Sequence, residues 1–301
     1  MYKKIHAKPI KRSDMRLWLG AKYFTLKRHF YWFFSKYDFA DRYVLKKCEK
    51  SAFEFFIPTD LCRQRRRHGK NYAHPFFVCH SHKTPLYRKL KDVDMYMQEN
   101  KVHNLKIAVL MVNNIVIKPG QIFSYWRVIG KPTKRKGYKK GMVLKSGKVT
   151  AAIGGGLCQL SNLIYWLTIH TQLTVVERHR HGYDVFPDTN RTQPFGSGAT
   201  CFYNYGDLVI KNDTQHTFQL SINVGEEFLE GAWMCDTKPD FTYEVYEKDH
   251  IMQSNFWGGY TRHNVIHRKK MDIYGEVVAD EYVIENNAIM MYAPFLEGAS
   301  K

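Results

Sequence analysis

A chain of 301 residues that is 44% hydrophobic and 15% aromatic is long enough to bury a sizeable core and too apolar to be a solvated tail. Its formal net charge of +18 is uneven: residues 1–70 carry 19 Lys and Arg against 6 Asp and Glu, a local excess of 19 − 6 = +13. No run of about 18 apolar residues predicts a membrane-spanning helix, and no apolar core with a small-residue cleavage site follows the basic start, so the sequence alone leads one to expect a cytoplasmic protein.

The first segment, 1–95, reads as helical or irregular. Its stretch LWLGAKYFTLKRHFYWFFSKY (17–37) interleaves aromatic and basic residues. Three readings fit: a helix whose Trp18, Phe30 and Phe33 pack on the rest of the protein, an interfacial helix on anionic lipid at the inner face of the membrane, or a nucleic-acid-binding arm, the last being the least favoured. Six cysteines at irregular spacing, with no CxxC, predict reduced thiols. CHSH at 79–82, near His74, has metal-binding residue types, but no second cluster at zinc-finger spacing follows, so a polar loop is expected, with no metal and no cofactor.

From residue 96 the texture changes. HNLKIAVLMVNN has helical spacing, and IVIKPGQIFSYW reads as strand, Pro-Gly turn and strand. GKPTKRKGYKKG (130–141) is a glycine-bounded basic loop, and MVLKSGKVTAA a short hairpin. Gly154, Gly155 and Gly156 then lead into LCQLSNLIYWLTIH, where Leu157, Leu160, Leu163, Ile164 and Leu167 recur at three- and four-residue steps and predict a helix with one apolar stripe.

Cys158 falls in the first turn of that helix. A helix N-terminus favours thiolate over thiol, and the glycines would let a substrate backbone approach, so Cys158 is a candidate nucleophile. LTVVERHRHG predicts a strand that, if it persists, places His179 and His181 on one face as candidate general bases. Gln159 and the amides of the first turn are candidate oxyanion donors. Gly154, Gly155, Gly156, Ser161 and Arg178 are candidate substrate contacts, with Arg178 either clamping a substrate carboxylate or pairing with Glu177. The alternative is that Gln159 and Ser161 cap the turn and that Cys158 is a small packed side chain.

The last third reads as structure. GDLVIKNDTQHTFQLSINV predicts two strands around an Asn-Asp turn, and NVIHRKKMDIYGEVVADEYVIENN a hairpin bending at Gly275, the two closing a mostly antiparallel sheet.

The segments ENKVHNLKIA, PGQIFSYWRVIG, GGGLCQLSNLIYW, VVERHRHG, GSGATCFYNYGDLVIKNDT and VIHRKKMDIYGEVVADEYVIENNA, in this order over roughly 97–290, resemble the VanW-like proteins, named from vancomycin-resistance gene clusters. The resemblance implies a role in cell-envelope peptidoglycan metabolism or the glycopeptide response. The order cysteine at a helix start, then histidine, is similar to transglutaminase-like and papain-like enzymes. It carries over to Cys158, Gln159, Arg178 and His181. Gly198 stands where the family commonly has aspartate, leaving Asp184, Asp188 or Asp207 as candidates for an orienting carboxylate.

The expected architecture is α+β, with the helix starting at Cys158 packed on a mostly antiparallel sheet. It divides into a basic aromatic segment (1–95), a core domain (96–236) and a C-terminal β cap (237–301). Two functions follow: a Cys–His hydrolase or acyl-transfer enzyme acting on a peptidoglycan-type or peptide substrate, or a non-catalytic protein binding a muropeptide or lipid-linked precursor at the membrane surface.

Overall fold

The computed structural model describes residues 12–40, 76–87, 94–145, 147–185 and 193–293. Cys48, Cys62, His74, Asp188 and the basic run 63–70 lie outside the described residues. Helix α1 (Asp14–Phe34) starts at Ser13, whose hydroxyl accepts from the Arg16 amide at 3.4 Å. It buries none of its residues, and Trp18, Phe30 and Phe33 are 60%, 54% and 81% exposed, so the reading in which they pack on the core does not hold.

Strand β1 (Phe77–Pro85) follows, where the sequence predicted a polar loop. Five charged or polar side chains in nine residues, His80 to Thr84, hide it from a hydrophobicity scan. It forms because its backbone pairs antiparallel with β10 (Phe228–Cys235) from Phe77↔Cys235 to Pro85↔Phe228. A bulge at Cys79 shifts the register between Val78 and His80.

Helix α2 (Met95–Val112) buries Leu105, Ala108 and Val112 completely. Strands β2 (Val116–Ile117) and β3 (Ile122–Ser124) flank the Pro119–Gly120 turn, with Gly120 at φ +79°, the left-handed position a type II turn requires after proline. They do not form a hairpin. β2 pairs with β9 (Phe218–Val224), while β3 pairs with β8 (Val209–Lys211), so the turn passes the chain between two sheets. Short helix α3 (Tyr125–Ile129) and hairpin β4 (Lys140–Lys145) and β5 (Lys148–Ile153) lead to helix α4 (Cys158–Ile169).

Helix α4 is the centre of the core. The five predicted apolar positions are all buried, as are Tyr165, Trp166 and Ile169, so the helix is enclosed nearly all round. It packs against β1, β10 and β6 (Thr174–Glu177), and close approach to β10 is possible because Gly231 has no Cβ: one there would stand 2.6 Å from Ile222 and 3.0 Å from Leu167. The Trp233 indole donates to Thr168 Oγ1 at 3.0 Å, satisfying its buried N–H.

Among the described residues three larger sheets result, ordered β1-β10-β9-β2, β3-β8-β6 and β11-β12-β13-β7, beside the β4-β5 pair. The last contains β11 (Thr242–Ser254), β12 (Tyr260–Met271), β13 (Val277–Met290) and the two-residue β7 (Tyr183–Asp184). All pairings between named strands are antiparallel except β13 with β7. The predicted bend falls at Gly275, φ +84°, between β12 and β13. The C-terminal hairpin therefore belongs to a separate sheet with β11 and β7, and β8 and β9, read as one hairpin, lie in different sheets.

Candidate functional site

The three glycines before α4 are shaped by the protein's own backbone. A Cβ on Gly155 would lie 2.1 Å from the Gly141 carbonyl carbon and oxygen, and one on Gly156, φ +92°, would lie 2.1 Å from Lys101 Cγ. Gly154, φ +76°, faces Pro132 at 2.6 Å. Buried Asn104 of α2 locks the turn: its Nδ2 donates to the Gly155 and Lys139 carbonyls at 2.9 and 3.1 Å, and its Oδ1 accepts from the Lys139 amide at 2.8 Å. The space that the sequence assigned to a substrate backbone is filled by β4 and α2.

Cys158 begins α4, and its thiol donates to the Cys201 carbonyl at 3.8 Å. Burial pushes the thiol up from its ordinary value, the reverse of the lowering expected at a helix start. Burial is the largest cause, and the first-turn amides have partners of their own. The amides of Gln159 and Leu160 donate to the Gly156 and Leu157 carbonyls at 3.1 Å each, and that of Ser161 to Leu157 at 3.4 Å. The oxyanion donors anticipated there are thus engaged in the turn itself.

Gln159 points away, its Nε2 donating to Thr84 Oγ1 at 3.0 Å and to the Pro85 carbonyl at 2.9 Å, which ties α4 to the end of β1. Buried Ser161 donates to the Ala199 and Cys158 carbonyls at 2.6 and 3.2 Å. Arg178 does not pair with Glu177. Its guanidinium grips the loop 196–198, donating to the Gly198 carbonyl at 2.8 Å, the Asn286 side chain at 2.9 Å and the Gly196 carbonyl. Gly198 presses on Asn162, whose Oδ1 would be 2.6 Å from a Cβ there and accepts from the Ala199 amide.

Strand β6 ends at Glu177, so His179 and His181 do not share a strand face. The His179 Nε2 hydrogen-bonds Glu177 Oε1 at 2.7 Å, and the His181 ring packs edge-on against Phe202 at 5.6 Å. Burial lowers His181 from its ordinary value, with Arg180 adding to the effect.

The residues the fold does converge are Glu177 and Asp207, joined where the Asp207 amide donates to Glu177 Oε1 at 3.2 Å. Burial pushes Glu177 up, but the His179 and Arg28 side chains outweigh it and hold the carboxyl down at about 2. Asp207, fully buried, is pushed up to about 6 by burial, against donation from Ser124 Oγ at 2.5 Å and the Trp126 amide at 3.0 Å. The two carboxyls are thereby driven apart in affinity for protons.

Helix α1 completes this network. Arg28 pairs with Glu177 and donates from Nε to the Asn204 carbonyl at 3.1 Å, while the Trp32 indole donates to Ser124 Oγ at 3.2 Å. Around it lie exposed His179 and Tyr205, the latter stacked on Phe202 with centroids 5.7 Å apart. Sequence reasoning named Glu177 and Asp207 only in passing. The signal available was SYWR and YGD, short polar-aromatic motifs too brief to interpret without their partner at α1.

The arrangement is an α+β domain in which a rigid glycine turn and a buried two-carboxylate network support a polar and aromatic rim. Residues 100–234 match the family model described as VanW like protein. The chain is 39% identical over 160 residues to the vancomycin B-type resistance protein VanW of Enterococcus faecalis (strain ATCC 700802 / V583), covering 53% of this chain and 58% of that protein. It is 30% identical over 83 residues to the uncharacterized protein YoaR of Bacillus subtilis (strain 168), covering 28% and 27% respectively. The chain thus spans well under two thirds of the length of either relative. No solved structure matches it significantly.

Proposed function

We propose that this VanW-like protein acts in the cell-envelope response to glycopeptides by binding a peptidoglycan-type precursor, a muropeptide or lipid-linked stem, at an anionic membrane surface. The observation that carries the reading is the Cys158 thiol, desolvated and turned to the Cys201 carbonyl, with Gln159, Arg178 and the glycine turn all engaged by the scaffold. A thiol held in its protonated form is a poor nucleophile, so recognition falls to the rim above Glu177, where an ionised carboxylate, His179 and the Tyr205 ring offer donors, acceptors and stacking.

Helix α1 supports the membrane part. Met15, Trp18, Leu19, Phe30, Phe33 and Phe34 are exposed beside Arg16, Lys22 and Lys27, the pattern of an interfacial helix; each basic residue adds about 1 kcal/mol near an anionic surface. Among the described residues no helix is long and apolar enough to cross a membrane.

The test is saturable binding of a soluble muropeptide and a lipid-linked precursor by the full chain, with product analysis by mass spectrometry. Binding without turnover, equal in Cys158→Ala, agrees with this reading. Turnover abolished by Cys158→Ala establishes instead the cysteine-dependent hydrolase or acyl-transfer function. Co-sedimentation with phosphatidylglycerol vesicles but not with phosphatidylcholine vesicles tests the surface, and steeply salt-dependent retention on DNA or RNA would replace it with nucleic-acid binding.

A further inference from the structure

The end of β10, the turn before β9 and the bulge in β1 meet at one edge of the β1-β10-β9-β2 sheet. Cys235, Asp236 and His216 each offer one donor atom, and the three atoms lie within 4.8 Å of one another. Cys235 Sγ is 3.7 Å from Asp236 Oδ1, and His216 Nδ1 is 3.7 Å from the same oxygen. In a tetrahedral site with metal–sulfur bonds of about 2.3 Å and metal–nitrogen or metal–oxygen bonds of about 2.0 Å, donor atoms stand roughly 3.3–3.8 Å apart. The two separations to Asp236 Oδ1 fall in that range before any ion arrives.

The surrounding bonds aim these atoms at one point. Thr237 Oγ1 lies 3.0 Å from His216 Nδ1 and 3.6 Å from Cys235 Sγ, bridging the two where an ion would take its place. The Thr217 amide holds Asp236 Oδ2 at 3.0 Å, leaving Oδ1 turned to the cluster, the kind of outer contact that orients a ligating carboxylate. Buried Asn212 fixes the turn that carries His216, donating to the His216 and Ile117 carbonyls at 2.7 and 2.9 Å. A small cavity of about 10 Å³, bordered by Cys79, Cys235, His216 and Thr237, adjoins the cluster, about the space of one water or ion.

A fourth donor comes from the strand bulge. The bulge in β1 carries Cys79 to the end of β10, where it borders the same cavity as Cys235 and His216, its thiol donating to the Phe77 carbonyl at 3.9 Å.

We propose that Cys79, His216, Cys235 and Asp236 form a binding site for a borderline-soft divalent cation, zinc above all. Two sulfurs, an imidazole and a carboxylate are the donor types that such an ion selects over magnesium or calcium. Bound there, the ion cross-links β1, the turn before β9 and the end of β10.

The test uses the full chain, reduced and stripped with a chelator, titrated with Co(II) and then Zn(II). One equivalent of Co(II) producing a thiolate-to-cobalt charge-transfer band, displaced by Zn(II), is the expected result. Cys235→Ser and His216→Ala should each weaken binding by more than about tenfold, whereas Cys48→Ser/Cys62→Ser should leave it unchanged. Zn(II) should also shield Cys79 and Cys235 from alkylation. Absence of the band in the unaltered protein overturns the site, as does a band that survives both Cys235→Ser and His216→Ala, or a Cys79–Cys235 disulfide that persists under reductant without metal uptake. His216 sits on a half-exposed turn, so its alanine variant retains the fold if Cys235→Ser does not.

Discussion

Arg28 of α1 and Glu177 at the end of β6, 149 residues apart in sequence, form a part-buried ion pair that anchors the N-terminal helix to the core. The same carboxylate takes the His179 ring and the Asp207 amide, so α1, the 178–181 segment and the 203–207 loop share one acceptor. Glu177→Gln should cost about 2–3 kcal/mol, the scale of hydrogen bonds to a charged group. Denaturant unfolding measures the loss, and faster tryptic cleavage within residues 14–34 identifies α1 as the part released. Unchanged cleavage would mean that Trp32 and the 38–40 segment hold the helix unaided.

Cys158 should react with iodoacetamide more slowly than a free cysteine, with an apparent pKa above the ordinary thiol value and no response to His181→Ala. The direction follows from burial, which penalises the thiolate. An apparent pKa below about 8.5 that rises in the His181 variant would restore the thiolate–imidazole pair and with it the enzymatic reading.

Gly155→Ala should be among the most damaging single substitutions in the chain, because its methyl group meets the Gly141 backbone, which has no rotamer to yield. A loss above about 3 kcal/mol, or failure to fold, is expected from overpacking of this kind. Gly20→Ala, where a Cβ meets nothing within 4 Å, is the control and should be neutral or slightly stabilising. Comparable urea midpoints for the two variants would remove the packing account of the glycine turn.

His80 and His170 stack face to face at 3.9 Å, and burial together with neighbouring histidines lowers them to about 3 and about 4. Their folded-state values lie below the ordinary 6.5, so the unfolded chain binds more protons between these limits. The stability they contribute is complete above about pH 6.5 and is lost as pH falls toward 4 and 3. Asp207, raised to about 6 from 3.8, acts in the opposite sense: its contribution is complete below about pH 3.8 and is lost as pH rises through 6. His80→Phe isolates the histidine part, since the Asp207 contribution cancels in the comparison. The variant should lose less Tm than the parent protein between pH 7 and pH 5, and parallel curves would dissociate this stack from acid lability.

What the sequence made legible was local. Helical spacing located α2 and α4, Pro119–Gly120 and Gly275 marked real bends, and the alternating runs at 174–177, 218–224 and 277–290 are strands. Interleaved aromatic and basic residues identified α1 as unusual, and its exposed apolar face agrees with an interfacial helix more than with a packed one. β1 was invisible because a polar edge strand owes its existence to its partner's backbone, which no local pattern encodes.

The chemistry divided the same way. Sequence by itself determined which reactive side chains exist and that Cys158 opens a helix after three glycines, since propensity and backbone freedom act over a few residues. Only the tertiary structure decided what each group meets: the Cys201 carbonyl for Cys158, β1 for Gln159, the 196–198 loop for Arg178, Arg28 for Glu177. A thiol's charge depends on desolvation and on partners 40 or more residues away, and the proposed metal site depends on donors gathered from β1, the turn before β9 and the end of β10. Both are set by packing across the fold, and short-range pattern carries no record of it.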